Sequence, residues 1–132
     1  DQGFALGAPT WAAKTHDRLN LGIELAHKYQ YDEPRFSQAI YDLVGTGTMI
    51  SESIPAALAI AYYAKDVHKS AILCANLGGD TDTIGAMATA ICGAKGGASS
   101  IDDDWKKLID TKNPQHHFND YADKMLKFQA RK

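Results

Sequence analysis

The sequence predicts an all-α chain, a compact orthogonal helical domain of six or seven helices. Three observations carry this expectation. Apolar residues recur at helical spacing along most of the chain, and capping residues and glycine–proline punctuation divide it into pieces of helix length. No run alternates apolar and polar residues as a half-buried strand would.

Taken in order, residues 14–29 place Leu19, Ile23 and Ala26 on one helical stripe. Pro34, after Glu33, suits a first helical turn and opens a helix through Phe36, Ile40 and Val44. That helix runs into Gly45-Thr46-Gly47-Thr48, where two glycines license unusual backbone angles. A third helix is expected from about Ser53 to Lys65, with Ser53 as cap and Pro55 in the first turn. Asp66 caps the next, which carries Val67, Ala71 and Cys74 and ends at Gly78-Gly79. The segment opened by Asp80-Thr81-Asp82-Thr83 carries Ile84, Met87, Ala88 and Ile91, with Gly85, Ala86, Ala90 and Gly93 on its other face. Apolar nearly all round, it is expected to be central. Residues 96–100 read as a loop, Asp102-Asp103-Asp104 as the start of a short helix through Leu108, and Pro114 as its break. A last amphipathic helix carries Phe118, Ala122, Met125 and Leu126 before a basic tail.

Composition narrows the function classes. The chain has 132 residues, 45% hydrophobic and 23% charged, which fits one globular domain able to bury a core. With 14 Lys+Arg against 16 Asp+Glu the net charge is -2, and no basic patch is clustered to neutralise phosphates, so no nucleic-acid partner is expected. No apolar stretch reaches the roughly 18 residues of a membrane span, and Asp1-Gln2-Gly3-Phe4 lacks the basic start of a signal peptide. A cytoplasmic location follows as the default. Because it lacks an initiator Met, the chain is expected to be an expressed part, a processed product or a fragment. Cys74 and Cys92 sit in apolar helical patterns and read as small buried thiols. His16, His27, His68 and the His116-His117 pair have no ligand spacing and read as solvated. Trp11, Trp105 and the tyrosines read as packing, with Tyr62 or Tyr63 able to line a pocket.

Chemistry concentrates in Asn76-Leu77-Gly78-Gly79-Asp80-Thr81-Asp82-Thr83-Ile84-Gly85. Two carboxylates at i, i+2 with a hydroxyl beside them can converge where the backbone turns into a helix. An all-oxygen set of this kind suits a hard cation such as Mg²⁺, Mn²⁺ or Ca²⁺ rather than zinc. The rival reading is that Asp and Thr merely cap a helix. Redundancy favours the metal: one cap suffices, yet Asp80, Asp82 and Thr83 crowd four residues behind a double glycine. The pattern is no EF-hand loop, because no acid stands at its fifth or twelfth position.

The stretch from Ala75 to Ala88 resembles the carboxy-terminal signature of the ADP-ribosylglycohydrolases, which include the dinitrogenase-reductase-activating type. Upstream, Leu43-Val44-Gly45-Thr46-Gly47-Thr48 and Ser51-Glu52-Ser53-Ile54-Pro55-Ala56-Ala57 resemble the glycine loop and helix start that precede it. The resemblance implies an all-α enzyme with two divalent ions, Mg²⁺ or Mn²⁺, of which residues 1–132 would be a carboxy-terminal part of the single larger domain. It implies Asp80 and Thr83 as ligands of one metal and Asp82 as a bridge to both. Thr46, Gly47 and Thr48 would lie beside the ribose or adenine end of the ligand, with Gly78 and Gly79 close to it. Glu52 reads as a carboxylate tying down a helix start.

Two departures accompany the likeness. The family's glycine loop often has Asn where this chain has Thr46. Family members are also more than twice this length, and their amino-terminal half supplies a further acid and a Thr/Ser-Asp-Asp cluster. Asp102-Asp103-Asp104 follows the signature, in the wrong order, and reads as a solvated helix start. Half a site is therefore expected, completed by an amino-terminal half or a second chain, with no general acid or base assigned here. The function implied is metal-dependent hydrolysis of ADP-ribosyl or related N- or O-ribosyl bonds, on ADP-ribosylated protein or a small ribosyl compound. The alternative is an inactive helical module binding a metal or ribosyl ligand weakly. A chain lacking half its domain would also expose apolar surface, so homo-oligomerisation is expected.

Overall fold

Helix punctuation explains most of the architecture of the computed structural model, which describes residues 13–129. Trp11 and the basic tail lie outside the described residues. The chain divides into two compact units, one up to Ser100 and one from Ile101. Seven α-helices, a π-helical turn and a 3₁₀ turn make up the described residues, with no strand among them. The all-α expectation holds.

In the first unit, α1 spans Thr15–Lys28, α2 Glu33–Ala39, α3 Ile50–Ala64, α4 Val67–Ala75 and α5 Thr81–Gly96. α1 packs on α3, α4 on α5, and α3 on α5. Gly22 makes the first crossing close: a Cβ there would stand 2.8 Å from the Ala59 Cβ. The buried face of α1 is thus Gly22, Leu25 and Ala26. Leu19 and Ile23 lie half-exposed beside it, a part-turn away from the stripe expected. α2 begins as foreseen, with Asp32 accepting from the Arg35 amide and Pro34 in the first turn. Phe36, Ile40 and Val44 are fully buried, and Phe36 stacks on Tyr63 with ring centroids 4.0 Å apart. Burial holds the Tyr63 phenol above its ordinary pKa, against the opposing charge of Lys69.

Three corrections concern the helices. Residues Ile40–Val44 form a π-helical turn, a form that often marks functional sites. α3 begins at Ile50 and not near Ser53. Ser53 is inside the helix, its hydroxyl donating to the Met49 carbonyl at 3.2 Å, and Pro55 sits at the sixth helical position. Proline there deprives the Ser51 carbonyl of its helical donor. The Arg18 guanidinium supplies one instead, at 3.2 Å. Finally, α5 is not buried all round: Ile84, Ala88 and Cys92 face the core while Ala86, Ala90 and Ala94 are exposed. It packs on α3 and α4 along one face only, and small side chains line the other.

Asp66 caps α4, its carboxylate accepting from the Lys69 amide at 2.8 Å. Asp66→Ala is expected to lower stability by about 1 kcal/mol, with Asp66→Asn close to neutral. Thermal denaturation measures both, and an unchanged midpoint for the alanine variant would remove the cap's role.

In the second unit, α6 spans Asp103–Lys112 and α7 Phe118–Gln129. Asp102 caps α6, accepting from the Asp104 and Trp105 amides. The helix runs past Leu108 to Lys112, with Pro114 two residues beyond it. No helix among the described residues is long and apolar enough to cross a membrane.

Candidate functional site

Two loops of the first unit meet. Residues 45–49 join the π-helical turn to α3, and residues 76–80 join α4 to α5. Gly45 leaves the π turn at φ 89°. Gly47 donates its N–H to Glu52 Oε2 at 2.9 Å, and Glu52 Oε1 stands 3.2 Å from Arg18 Nη1. Between them the Thr46 backbone is turned so that its carbonyl accepts the Asp80 N–H at 2.7 Å. Gly79, at φ 77°, lies directly against it: a Cβ there would overlap the Thr46 carbonyl oxygen and hydroxyl. Gly78, at φ 81°, faces the Tyr41 ring, which a Cβ would approach to 3.2 Å.

Asp80 is the N-cap residue of α5, yet its side chain makes no capping bond to the backbone. Its carboxylate instead accepts the Thr83 hydroxyl proton at 3.0 Å. Asp82 is held below the ordinary carboxylate range, first by a hydrogen bond with the Asp80 side chain and then by the Thr83 amide and its own N–H. The three predicted oxygen donors thus stand at the start of α5, with Asp80 and Thr83 joined by a hydrogen bond. Asp80 is half-buried, and Asp82 and Thr83 are exposed. Thr83 spends its proton on Asp80 and keeps its oxygen lone pairs. Among the described residues no three His, Cys, Asp or Glu side chains cluster for a metal, so the set is two carboxylates and one hydroxyl.

Of the other predicted residues, Thr46 is 4% exposed and structural in contact, and Gly47 is held by Glu52. Thr48 is exposed and makes no hydrogen bond to the signature loop. Beside Gly78 opens a cleft of about 590 Å³ lined by Ser37, Gln38, Tyr41, Asn76 and Leu77. Tyr41 reaches it from the π turn, which nothing in the sequence announces. Arg18 was also missed, since its pairing with Glu52 spans 34 positions and carries no local signal.

The remaining titratable groups stand elsewhere. Cys74 and Cys92 are free and buried, as expected, and burial, with Cys92 as a lesser cause, pushes the Cys74 thiol up to about 11. His27 meets the Tyr62 hydroxyl at 3.0 Å, and His116 the Tyr121 hydroxyl at 3.2 Å. His16, His68 and His117 are exposed. Tyr62 lines an apolar cleft of about 510 Å³ with Leu19, Ile23, Leu58 and Ile91.

Comparison with known proteins identifies the family. The family model described as ADP-ribosylglycohydrolase matches residues 4–132. A protein of Escherichia coli (strain K12), described as "Uncharacterized protein YegU", is 43% identical over 124 residues, covering 93% of this chain and 36% of that relative. The chain thus spans about a third of the relative's length. No solved structure matches it. With the signature and glycine loops in contact and the match running over nearly the whole chain, the protein belongs to the ADP-ribosylglycohydrolase family.

Proposed function

We propose that this chain supplies part of a divalent-metal site in a hydrolase of ADP-ribosyl or related N- or O-ribosyl bonds. The observation that carries the reading is the Asp80 carboxylate. It stands at a helix start without capping it, accepts the Thr83 hydroxyl instead, and has the Asp82 carboxylate two residues further on. Two carboxylates at one helix start, Asp82 kept ionised, stand beside a hydroxyl and are ready oxygen donors for a divalent cation. The donors are all oxygen, which fits Mg²⁺ or Mn²⁺.

Asp80 and Thr83 would hold one ion and Asp82 would face both ions of the complete site. A divalent ion so held can bind ribose hydroxyls and polarise a water for attack at the anomeric carbon. The chain's own residues contribute position: residues 46–48 and Gly78–Gly79 form the loop junction, and the cleft beside Gly78 is where a sugar would approach it. Three donors fall short of the about six oxygens Mg²⁺ prefers. The remainder, and the general acid or base, would come from sequence outside these 132 residues or from a second chain. The substrate would be an ADP-ribosylated protein or a small ribosyl compound.

Titration of the 132-residue chain with Mn²⁺, followed by electron paramagnetic resonance, tests the reading. A weak site is expected, and Asp82→Ala should weaken it by at least about tenfold, the order lost even with an outer-shell partner. Equal Mn²⁺ uptake by the two proteins would end the assignment. Ribosyl turnover by the isolated chain would end the view that it holds only part of the donors.

A further inference from the structure

Glu52 lies in the first turn of α3, where a carboxylate ordinarily faces solvent and complements the helix dipole. Here both oxygens are engaged away from that role. Oε2 accepts the Gly47 N–H at 2.9 Å, and Oε1 meets Arg18 at 3.2 Å, with both side chains only 24% exposed. The loop is shaped around this carboxyl. A Cβ on Gly45 would come within 2.8 Å of its carbon, and one on Gly47 within 2.6 Å of its oxygen. The same Arg18 nitrogen also holds the Ser51 carbonyl that Pro55 leaves without a helical donor. α1, the start of α3 and the glycine loop are thus joined at one ion pair.

The consequence passes onward. With Gly47 fixed, the Thr46 carbonyl is aimed at the Asp80 N–H, 2.7 Å away, and Gly79 is seated against it. Arg18 and Glu52 bond to each other, to Ser51 and to Gly47, and neither bonds to the Asp80 carboxylate, so neither is placed as a ligand. We propose that Glu52, braced by Arg18, is a positioning residue that sets the Asp80 end of the metal-binding loop through Gly47 and Thr46. The proposal rests on the metal reading of Asp80 and Asp82 for its purpose, but not for its geometry. It extends the expectation that Glu52 ties down a helix start: the carboxylate acts on a loop in a different part of the sequence.

The test compares Glu52→Ala and Glu52→Gln in the 132-residue chain by amide hydrogen exchange and Mn²⁺ titration. In Glu52→Ala the Gly47 and Asp80 amides should exchange roughly five- to tenfold faster, the factor an ordinary hydrogen bond corresponds to. Amides of the buried α4 and α5 turns at Leu73 and Cys92 should keep their protection. Mn²⁺ affinity should fall by about tenfold, as for other groups that orient a ligand. Glu52→Gln retains an acceptor for Gly47 and should restore most of the Asp80 protection. Should Glu52→Ala not fold, Glu52→Asp, whose carboxylate stops one methylene short of Gly47, is read in the same way. Unchanged Asp80 exchange would overturn the proposal, as would a loss shared equally by every helix, or a Glu52→Gln as exposed as Glu52→Ala. If the parent chain takes up no Mn²⁺, the metal reading fails on its own, and Asp80 exchange still decides whether the relay exists.

Discussion

Gly79→Ala should cost about 3 kcal/mol or more of stability and abolish Mn²⁺ uptake at the loop junction. Two effects add at this position. The backbone stands at φ 77°, a conformation that costs an L-residue about 1–2 kcal/mol. The new methyl would also overlap the carbonyl oxygen and hydroxyl of Thr46, which are backbone and buried side chain and cannot swing clear. Relief requires the two loops to part, and parting them breaks the 2.7 Å bond from Asp80 to Thr46. Gly97→Ala is the control, because Gly97 has a similar φ of 74° but open space around its Cβ. With ψ 174° its backbone is also one that side chains avoid, so its loss should be about 1–3 kcal/mol, from the backbone alone. Urea denaturation of both variants measures the difference. Equal losses would mean that the overlap at Gly79 is relieved without parting the loops.

The second large effect is expected at Phe36. The ring is fully buried and lies flat on Tyr63, 4.0 Å between centroids at an interplanar angle of 10°. Phe36→Ala should lower stability by about 3–5 kcal/mol, from lost transfer energy and the hole left behind. Against the roughly 5–15 kcal/mol total of a typical domain, that is a large fraction. The damage should reach the site, because α2 leads directly into the π turn that presents Tyr41 and anchors the glycine loop through Ile40 and Val44. Chemical denaturation reads the loss, and a value below about 1.5 kcal/mol would show that neighbouring side chains close the cavity.

Much of this was legible in the residues. Local rules located Pro34 in the first turn of α2, Asp66 as the cap before Val67 and the Asp102–Asp104 run at the start of α6, since such signals act within one turn and need no distant partner. Ser53 misled for a related reason. A hydroxyl three residues before a run of alanines and isoleucine fits a cap, but the helix had already begun at Ile50. Its early start depends on Arg18, from another helix, taking the carbonyl that Pro55 strands. The pattern in α5 told which side chains tolerate burial but not which neighbours are present to bury them, so Ala86 and Ala90 stand exposed.

The sequence alone determined the helical class, the order of the segments and the crowding of Asp80, Asp82 and Thr83 at one helix start, because spacing along a chain fixes which groups share a turn. Tertiary structure decided what those groups do with their hydrogen bonds. It turned Asp80 toward Thr83 instead of the backbone, brought Thr46 from the distant glycine loop onto the Asp80 amide, and set Arg18 against Glu52. Contacts between residues tens of positions apart are made only when helices pack, and no local periodicity encodes them.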